Sequence, residues 1–235
     1  MEKNETLNKQ FLKIKSIRTF SRAFEMGLLE DDIILGLDGE IINSTYEDFS
    51  KQLTNIKEKK ILTIVRQNDC FNTFIYGPLG VVCEQFEGEE KFDFHSFDLK
   101  KVLDLNESYT HFEIYVRTNK TAILLNTIPT ILASLAPPLW MIQNRLWNFL
   151  GISLIFYVIL LIVSPWLFFI GWILTSWYVG SSQIDILRHF YRFNNFRLWF
   201  SFCEVTEKKA QELARKFNSQ VDFDYSYLDP VILDN

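Results

Sequence analysis

Cysteine is scarce: Cys70, Cys83 and Cys203 are the only three in 235 residues. None stands in a C-x-x-C pair, so neither a disulfide framework nor a thiolate metal knuckle is expected, and the thiols read as reduced and structural. His95, His111 and His189 are scattered, and none belongs to H-E-x-x-H, so a zinc protease has no support. There is no G-x-G-x-x-G and no G-x-x-x-x-G-K, the glycine-rich loops that cradle phosphates. Positive charge is in the minority, with 24 Lys and Arg against 29 Asp and Glu and a net charge of −5. Phosphate recognition needs a basic surface, so nucleic acid is not an expected partner. The opening MEKNETLNKQFLKIK lacks an apolar run and is not a secretory signal peptide. No catalytic residue, metal, cofactor or small-molecule substrate is expected.

Charge itself is missing from one long stretch. Between Thr121 and Ile184 the only charged residue is Arg145, and all six tryptophans fall between Trp140 and Trp199. A charged N-terminal half therefore precedes an apolar, aromatic half.

The N-terminal half alternates element signals. Phe11 to Ile17 alternates apolar and polar residues, as a half-buried strand does. Ser21 to Met26 reads as a short helical turn stopped by Gly27. Ile33 to Leu37 reads as a strand, Asp38-Gly39 as a tight turn and Ile41-Ile42 as the start of a short strand. A helix capped by Ser44 is expected to run to Lys57, with Glu47 and Asp48 in its first turn and Phe49, Leu53 and Ile56 on one apolar face. Ile61 to Val65 and Phe71 to Tyr76 read as a hairpin.

The residues Ser21-Arg-Ala-Phe-Glu-Met-Gly27-Leu28-Leu-Glu-Asp-Asp32-Ile33-Ile34-Leu35-Gly36-Leu37-Asp38-Gly39-Glu-Ile41-Ile42 follow the pattern S-x-A-x-x-A-G-L-x-x-G-D-x-I-L-x-(V/I)-(N/D)-G-x-x-V. Over residues 11–76 the chain resembles a bacterial PDZ domain of the kind attached to membrane and periplasmic proteases. The resemblance implies a module that binds an extended peptide or a protein C-terminus. That family's carboxylate-binding loop normally precedes the first strand, where this chain has ten mostly polar residues. A similar apolar-Gly-apolar segment, Gly77-Pro-Leu79-Gly80-Val81-Val82, comes after the last strand. It either fills the missing place in a permuted arrangement or is a plain strand entry with a Pro-Gly turn. The expected peptide-binding residues are Leu79, Gly80 and Val81 in the loop with Phe49, Leu53 and Ile56 on the helix. The helix residues are also what an ordinary core needs.

Glu84 to Lys101 is acidic and Phe-rich and reads as a linker or an extra strand pair, and Thr110 to Arg117 reads as a strand. Leu146 to Val163 and Trp166 to Ile184 are uncharged and separated by Ser164-Pro165. As one helix they would run about 58 Å against a bilayer core of roughly 30 Å. Two spans meeting in a tight turn are expected, at 146–163 and 166–184. Thr121 to Ile142, with Pro129, Pro137 and Pro138, reads as a re-entrant or interfacial segment or else a third span. The arginines flank the hairpin, so both of its ends should face the cytoplasm. Trp140, Arg145, Trp147, Trp177, Arg188 and Arg192 are the expected membrane-interface residues, with a lipid bilayer as partner. Gly180-Ser-Ser182 has no histidine partner in the apolar region, and no charge lies inside the spans, so neither catalysis nor ion transport is supported.

Leu135-Ala-Pro137-Pro138-Leu139-Trp140-Met-Ile-Gln-Asn-Arg145-Leu146-Trp147 is similar to F-x-P-L-W-x-x-x-x-R-x-W, the opening signature of a bacterial membrane family, domain of unknown function 2628. The likeness covers about residues 108–218 and implies two hydrophobic helices, an Arg-bearing helix (185–193), an aromatic strand (197–205) and a charged helix (207–217). It implies no reaction. Thr206 should cap that last helix, and the tail with Asp222, Asp224, Asp229 and Asp234 reads as a loose acidic end.

The expected fold class is therefore an α+β PDZ-like domain followed by an α-helical membrane hairpin with a small cytosolic α+β extension. Its segments are a flexible start (1–10), the PDZ-like domain (11–83), an acidic linker and strand (84–120), the membrane region (121–184), helix, strand and helix (185–218) and an acidic tail (219–235). The expected function is a non-catalytic adaptor anchored in the bacterial inner membrane, its PDZ-like domain and C-terminus cytoplasmic, binding a peptide or protein partner. The alternative is a structural or assembly subunit of a membrane complex, with a PDZ-like fold that binds no peptide.

Overall fold

The computed structural model describes residues 10–42, 44–55, 58–67, 69–87, 108–118 and 120–230. Ten strands are described: β1 (Gln10–Ile17), β2 (Ile33–Leu37), β3 (Glu40–Ile41), β4 (Lys60–Arg66), β5 (Asp69–Ile75), β6 (Val81–Glu87), β7 (Thr110–Val116), β8 (Thr121–Asn126), β9 (Arg197–Glu204) and β10 (Asp222–Phe223). The helices are α1 (Arg22–Glu25), α2 (Tyr46–Thr54), α3 (Ile131–Leu135), α4 (Pro137–Gln143), α5 (Trp147–Val163), α6 (Pro165–Phe193) and α7 (Glu207–Phe217). The chain forms two compact units, Met1–Asn126 with Phe196–Asn235, and Thr127–Asn195.

The first unit is built on one mixed sheet in the order β10-β8-β7-β9-β5-β4-β2-β1-β6, with β3 on β2. Among the described strand pairs, only β10–β8 is parallel. The β2–β3 turn has Asp38 and Gly39 both at positive φ, 51° and 82°, the geometry whose twist matches the flanking strands. Ser21 caps α1 and accepts from the Phe24 N–H. Thr45, not Ser44, caps α2, accepting from the Asp48 N–H.

No separate PDZ-like domain with a small extension exists. A single core runs from Leu12, Ile34 and Phe49 through Phe71 to Phe200, Phe202 and Val221. The join is made where β5 meets β9, with Asn72 opposite Cys203. Thr73 Oγ1 donates to the Ser201 carbonyl, and Lys216 reaches Asp69 at 2.7 Å. The Ser201 N–H donates to the Met26 carbonyl at 3.1 Å, and a Cβ on Gly27 (φ 72°) would strike the Trp199 carbonyl oxygen. At the centre, Arg66 donates to both oxygens of Asp32 (2.7 and 2.8 Å) and to the Gly27 carbonyl (2.9 Å). Asp32 also accepts from the Leu29 turn amide at 2.8 Å, as its place after Gly27 suggests. The guanidinium lies over Phe71, Phe200 and Phe217 at 5.0–5.4 Å, so side chains from both ends of the chain satisfy and enclose one buried charge pair.

The second unit packs α3 and α4 against the α5–α6 pair through small and polar groups. Tyr157 Oη meets Thr175 Oγ1 at 2.6 Å, and Gly171 lies against Leu160. Gln183 Oε1 accepts from the Thr130 N–H and hydroxyl at 2.9 and 3.0 Å.

No helix among the described residues is long and apolar enough to cross a membrane. Ser164 is extended (φ −167°, ψ 135°) and ends α5 at 17 residues. At 1.5 Å per residue that is about 25 Å, short of the roughly 30 Å of a bilayer core. The α6 helix has 29 residues, but Gly171, Thr175, Ser176, Gly180, Ser181 and Ser182 dilute its apolar part, and Asp185, Arg188 and Arg192 charge the rest. This overturns the expected membrane hairpin, its transmembrane character and the inner-membrane location. The segment 121–142 is not re-entrant: it begins as strand β8 in the sheet and continues as α3 and α4. The expected second span and Arg-bearing helix are one continuous helix, α6. The tail is not loose as far as residue 230, since β10 pairs with β8, Phe223 is buried, and Gln211 Nε2 donates to the Tyr225 carbonyl. Of the linker expected from Glu84, residues 84–87 belong to β6 and 88–107 lie outside the described residues.

Candidate functional site

The terminal strand of the sheet is β6, and its outer edge carries no strand among the described residues. It pairs antiparallel with β1 from Ile17↔Val81 to Gln10↔Glu87. On the other side stands α2, whose first residue reaches the strand: Tyr46 Oη donates to the Val81 carbonyl at 2.7 Å. The segment Gly77–Gly80 leads into β6, with both glycines at positive φ, 83° and 75°. The permuted reading and the plain strand-entry reading thus meet in one piece of chain, a glycine loop that opens an edge strand beside a helix.

The backbone polarity of this loop follows from its hydrogen bonds. The Leu79 carbonyl accepts from the Ala23 N–H and the Gly80 carbonyl from the Arg18 N–H, both at 3.0 Å. A trans peptide holds its N–H opposite its C=O. The Gly80 and Val81 N–H groups are therefore turned away from α1 and β1. The Val81 carbonyl shares that outward side, because it is the one Tyr46 reaches. The Val81 N–H and carbonyl thus both face the outer side of β6, where Tyr46 reaches the carbonyl, while the Gly80 N–H faces away from α1. Adjacent backbone N–H groups of this kind form an anion-binding concavity.

The expected site residues divide. Leu79 and Val81 are buried at 1% and 5% exposure, and Phe49 and Leu53 at 0% and 3%. All four side chains belong to the core, and Gly80 between Leu79 and Val81 is half-buried and offers only backbone. Ile56 lies outside the described residues. The sequence reading missed Tyr46 and Arg22. Tyr46 was hidden as the first residue of an amphipathic helix whose polar face carries no further signal. Arg22 lies against the loop: its guanidinium stacks on Tyr76 at 4.2 Å, and a Cβ on Gly77 would come within 2.8 Å of its Nη1.

The expected membrane-interface residues have no span to flank. Trp140 is buried at 2% within its own unit, whereas Trp147 and Trp177 are exposed. Arg145 adopts a positive φ of 55° at the turn before α5. Arg188 pairs with Asp185 at 3.0 Å within α6, and Arg192 is exposed near that helix's end.

Nucleophilic chemistry has little to work with among the described residues. Burial pushes the Cys70 and Cys83 thiols up to about 12, with Asp69 adding to the shift at Cys70. Burial also pushes the Cys203 thiol up, further still. A thiol so shifted is almost wholly protonated at neutral pH. His111 Nε2 lies 2.7 Å from Ser201 Oγ, a pairing between neighbouring strands that sequence spacing does not reveal. Ser201 is 3% exposed and enclosed in the sheet, so its hydroxyl meets no substrate. No group of three or more His, Cys, Asp or Glu among the described residues is placed to hold a metal ion. No protein-family model matches the chain, and no curated protein matches it significantly.

Proposed function

We propose that the chain is a non-catalytic binding module that takes an extended peptide or protein C-terminus as an added strand on β6, beside α2. The observation that carries this reading is the outward-facing backbone of Val81, beside the Gly80 loop, at a strand edge that carries no strand among the described residues. Strand addition draws affinity from main-chain hydrogen bonds, and a C-terminal carboxylate is captured by clustered backbone N–H groups. The resemblance of residues 11–76 to PDZ domains points the same way. Because the core joins both ends of the chain, the experiment uses the full chain and not an N-terminal fragment. Its probe is a library of short peptides, each made with a free and with an amidated C-terminus. Saturable binding supports the reading, and a folded chain that retains no peptide from either set rejects it.

Tyr46 stands where a docked strand would bond, since its hydroxyl occupies the Val81 carbonyl. Tyr46→Phe frees that acceptor. One net hydrogen bond is about 0.5–1.5 kcal/mol, so the variant should bind library peptides roughly two- to tenfold more tightly by titration.

A second reading, a structural or assembly subunit, is favoured by one observation. The α5–α6 pair leaves Ile152, Ile155, Ile162, Trp166, Ile173 and Trp177 more than 60% exposed. Apolar exposure on this scale marks a contact surface. Stoichiometric companions of the purified chain would support that reading, and migration as a lone monomer would reject it.

A further inference from the structure

We infer that the chain pairs with a second copy of itself through the far face of α6, an inference that rests on the assembly reading and names its partner. Trp166, Ile170, Ile173 and Trp177 recur at steps of four, three and four residues, the rhythm of a helix seam. They are 78, 52, 65 and 74% exposed. The side of α6 that meets α5 is a different one. There Phe168 packs edge to face on Tyr157, Gly171 lies against Leu160, and Thr175 Oγ1 meets Tyr157 Oη. At 3.6 residues per turn, Ile170, Ile173 and Trp177 each stand about 200° past one of those three, on the opposite side of the helix.

Three features select a second copy as the occupant. The first is symmetry. The stripe reads Trp-Ile-Ile-Trp in either direction, with its midpoint between Gly171 and Trp172. A two-fold axis through that midpoint runs the helices antiparallel and sets Trp166 opposite the partner's Trp177 and Ile170 opposite the partner's Ile173, the self-matching patch that a two-fold dimer requires. The second is area. With about 150–250 Å² on each aromatic ring, the stripe exposes on the order of 600 Å² per copy. Pairing most of it buries on the order of 1,000 Å², and the flanking Phe169 and Leu174, both more than half exposed, carry the contact toward the roughly 1,200–2,000 Å² of stable interfaces. The third is charge. The α6 helix begins at Pro165, so an antiparallel overlap covers residues 165–178, where no charged residue stands. Asp185, Arg188 and Arg192 fall beyond the overlap, whereas a parallel pair would set each of them beside its own like charge.

The test is sedimentation equilibrium of the purified full chain, with and without phosphatidylcholine vesicles, each variant's fold being checked by circular dichroism. The wild-type chain should be a dimer at micromolar concentration. Trp177→Glu should raise its dissociation constant at least about a hundredfold, since the change acts twice across the two-fold axis. Ile173→Asn should do the same if Trp177→Glu fails to fold. Ile155 is 64% exposed on the side of α5 away from α6, so Ile155→Glu should leave the dimer unchanged. Register is read by cross-linking. An equal mixture of Trp166→Cys and Trp177→Cys chains should give a covalent dimer on mild oxidation. Either variant alone should give no more than the wild-type chain, because like positions stand about 16 Å apart along an antiparallel pair. A dimer that survives the α6 changes, that Ile155→Glu breaks equally, or that either cysteine variant cross-links alone overturns the inference. One copy held with a stoichiometric companion of different sequence also overturns it and leaves the assembly reading standing. A lone monomer, in solution or on vesicles, overturns both.

Discussion

The two units distribute polarity in opposite ways. In the sheet unit, apolar side chains are inside, and the charged pair Arg66–Asp32 is admitted only because every oxygen and most nitrogens of the pair find partners. In the helical unit, Tyr157 meets Thr175 and Leu160 meets Gly171 at the α5–α6 contact, while many apolar side chains, Ile152, Ile162, Trp166 and Trp177 among them, stay on the outside. An alternating strand declares which face is buried, because its period is two and its neighbours are fixed by hydrogen bonds. A helix apolar all round declares only that it must be covered, not by what.

The comparison breaks first at the charged pair. Asp32→Ala strands the Arg66 guanidinium among three phenylalanines, and full-chain denaturation should show a loss of about 3–5 kcal/mol. Replacing both residues with Leu and Met should recover much of that loss. A small effect for the single change would mean water enters the join between the chain's two ends.

Gly27→Ala tests the same join from the backbone. A left-handed residue with a Cβ facing the Trp199 carbonyl should destabilise by roughly 2–4 kcal/mol, measured the same way. In the helical unit, Gln183→Leu removes the acceptor for the Thr130 N–H and hydroxyl. That should cost about 1–3 kcal/mol and raise amide exchange in α3. If it proves neutral, polar contacts do not organise this unit.

The last effect is chemical and leaves the fold in place. An ordinary thiol is partly ionised at about pH 8, so Cys70 and Cys83 should react with a thiol reagent about a thousandfold more slowly than in denaturant. Their raised values also fix a sign. Between roughly pH 9 and 12 the unfolded chain loses these protons while the folded chain keeps them, so stability falls as pH rises through that window.

Much of the sheet unit was legible. β1, β2, β4, β5, β7, β9 and α7 lie within a residue or two of their expected bounds, and Thr206 caps α7 as its side chain predicts. The groove was half legible. The Gly77–Gly80 segment was visible as a loop, but periodicity marked Phe49 and Leu53 without saying that both are core. Tyr46 gave no pattern, because one hydroxyl that reaches a strand carbonyl far along the chain has no spacing to detect.

Local chemistry therefore determined the strands with alternating faces, the glycines at positive φ, the capped helices and the absence of nucleophile or metal motifs, since each depends on a residue and its near neighbours. Only the tertiary structure decided that β9 closes on β5 and makes one core of both chain ends, and that a loop carbonyl bonded to Ala23 turns the next N–H away from α1. Those outcomes rest on contacts between residues far apart in the chain, and no local pattern encodes their partners.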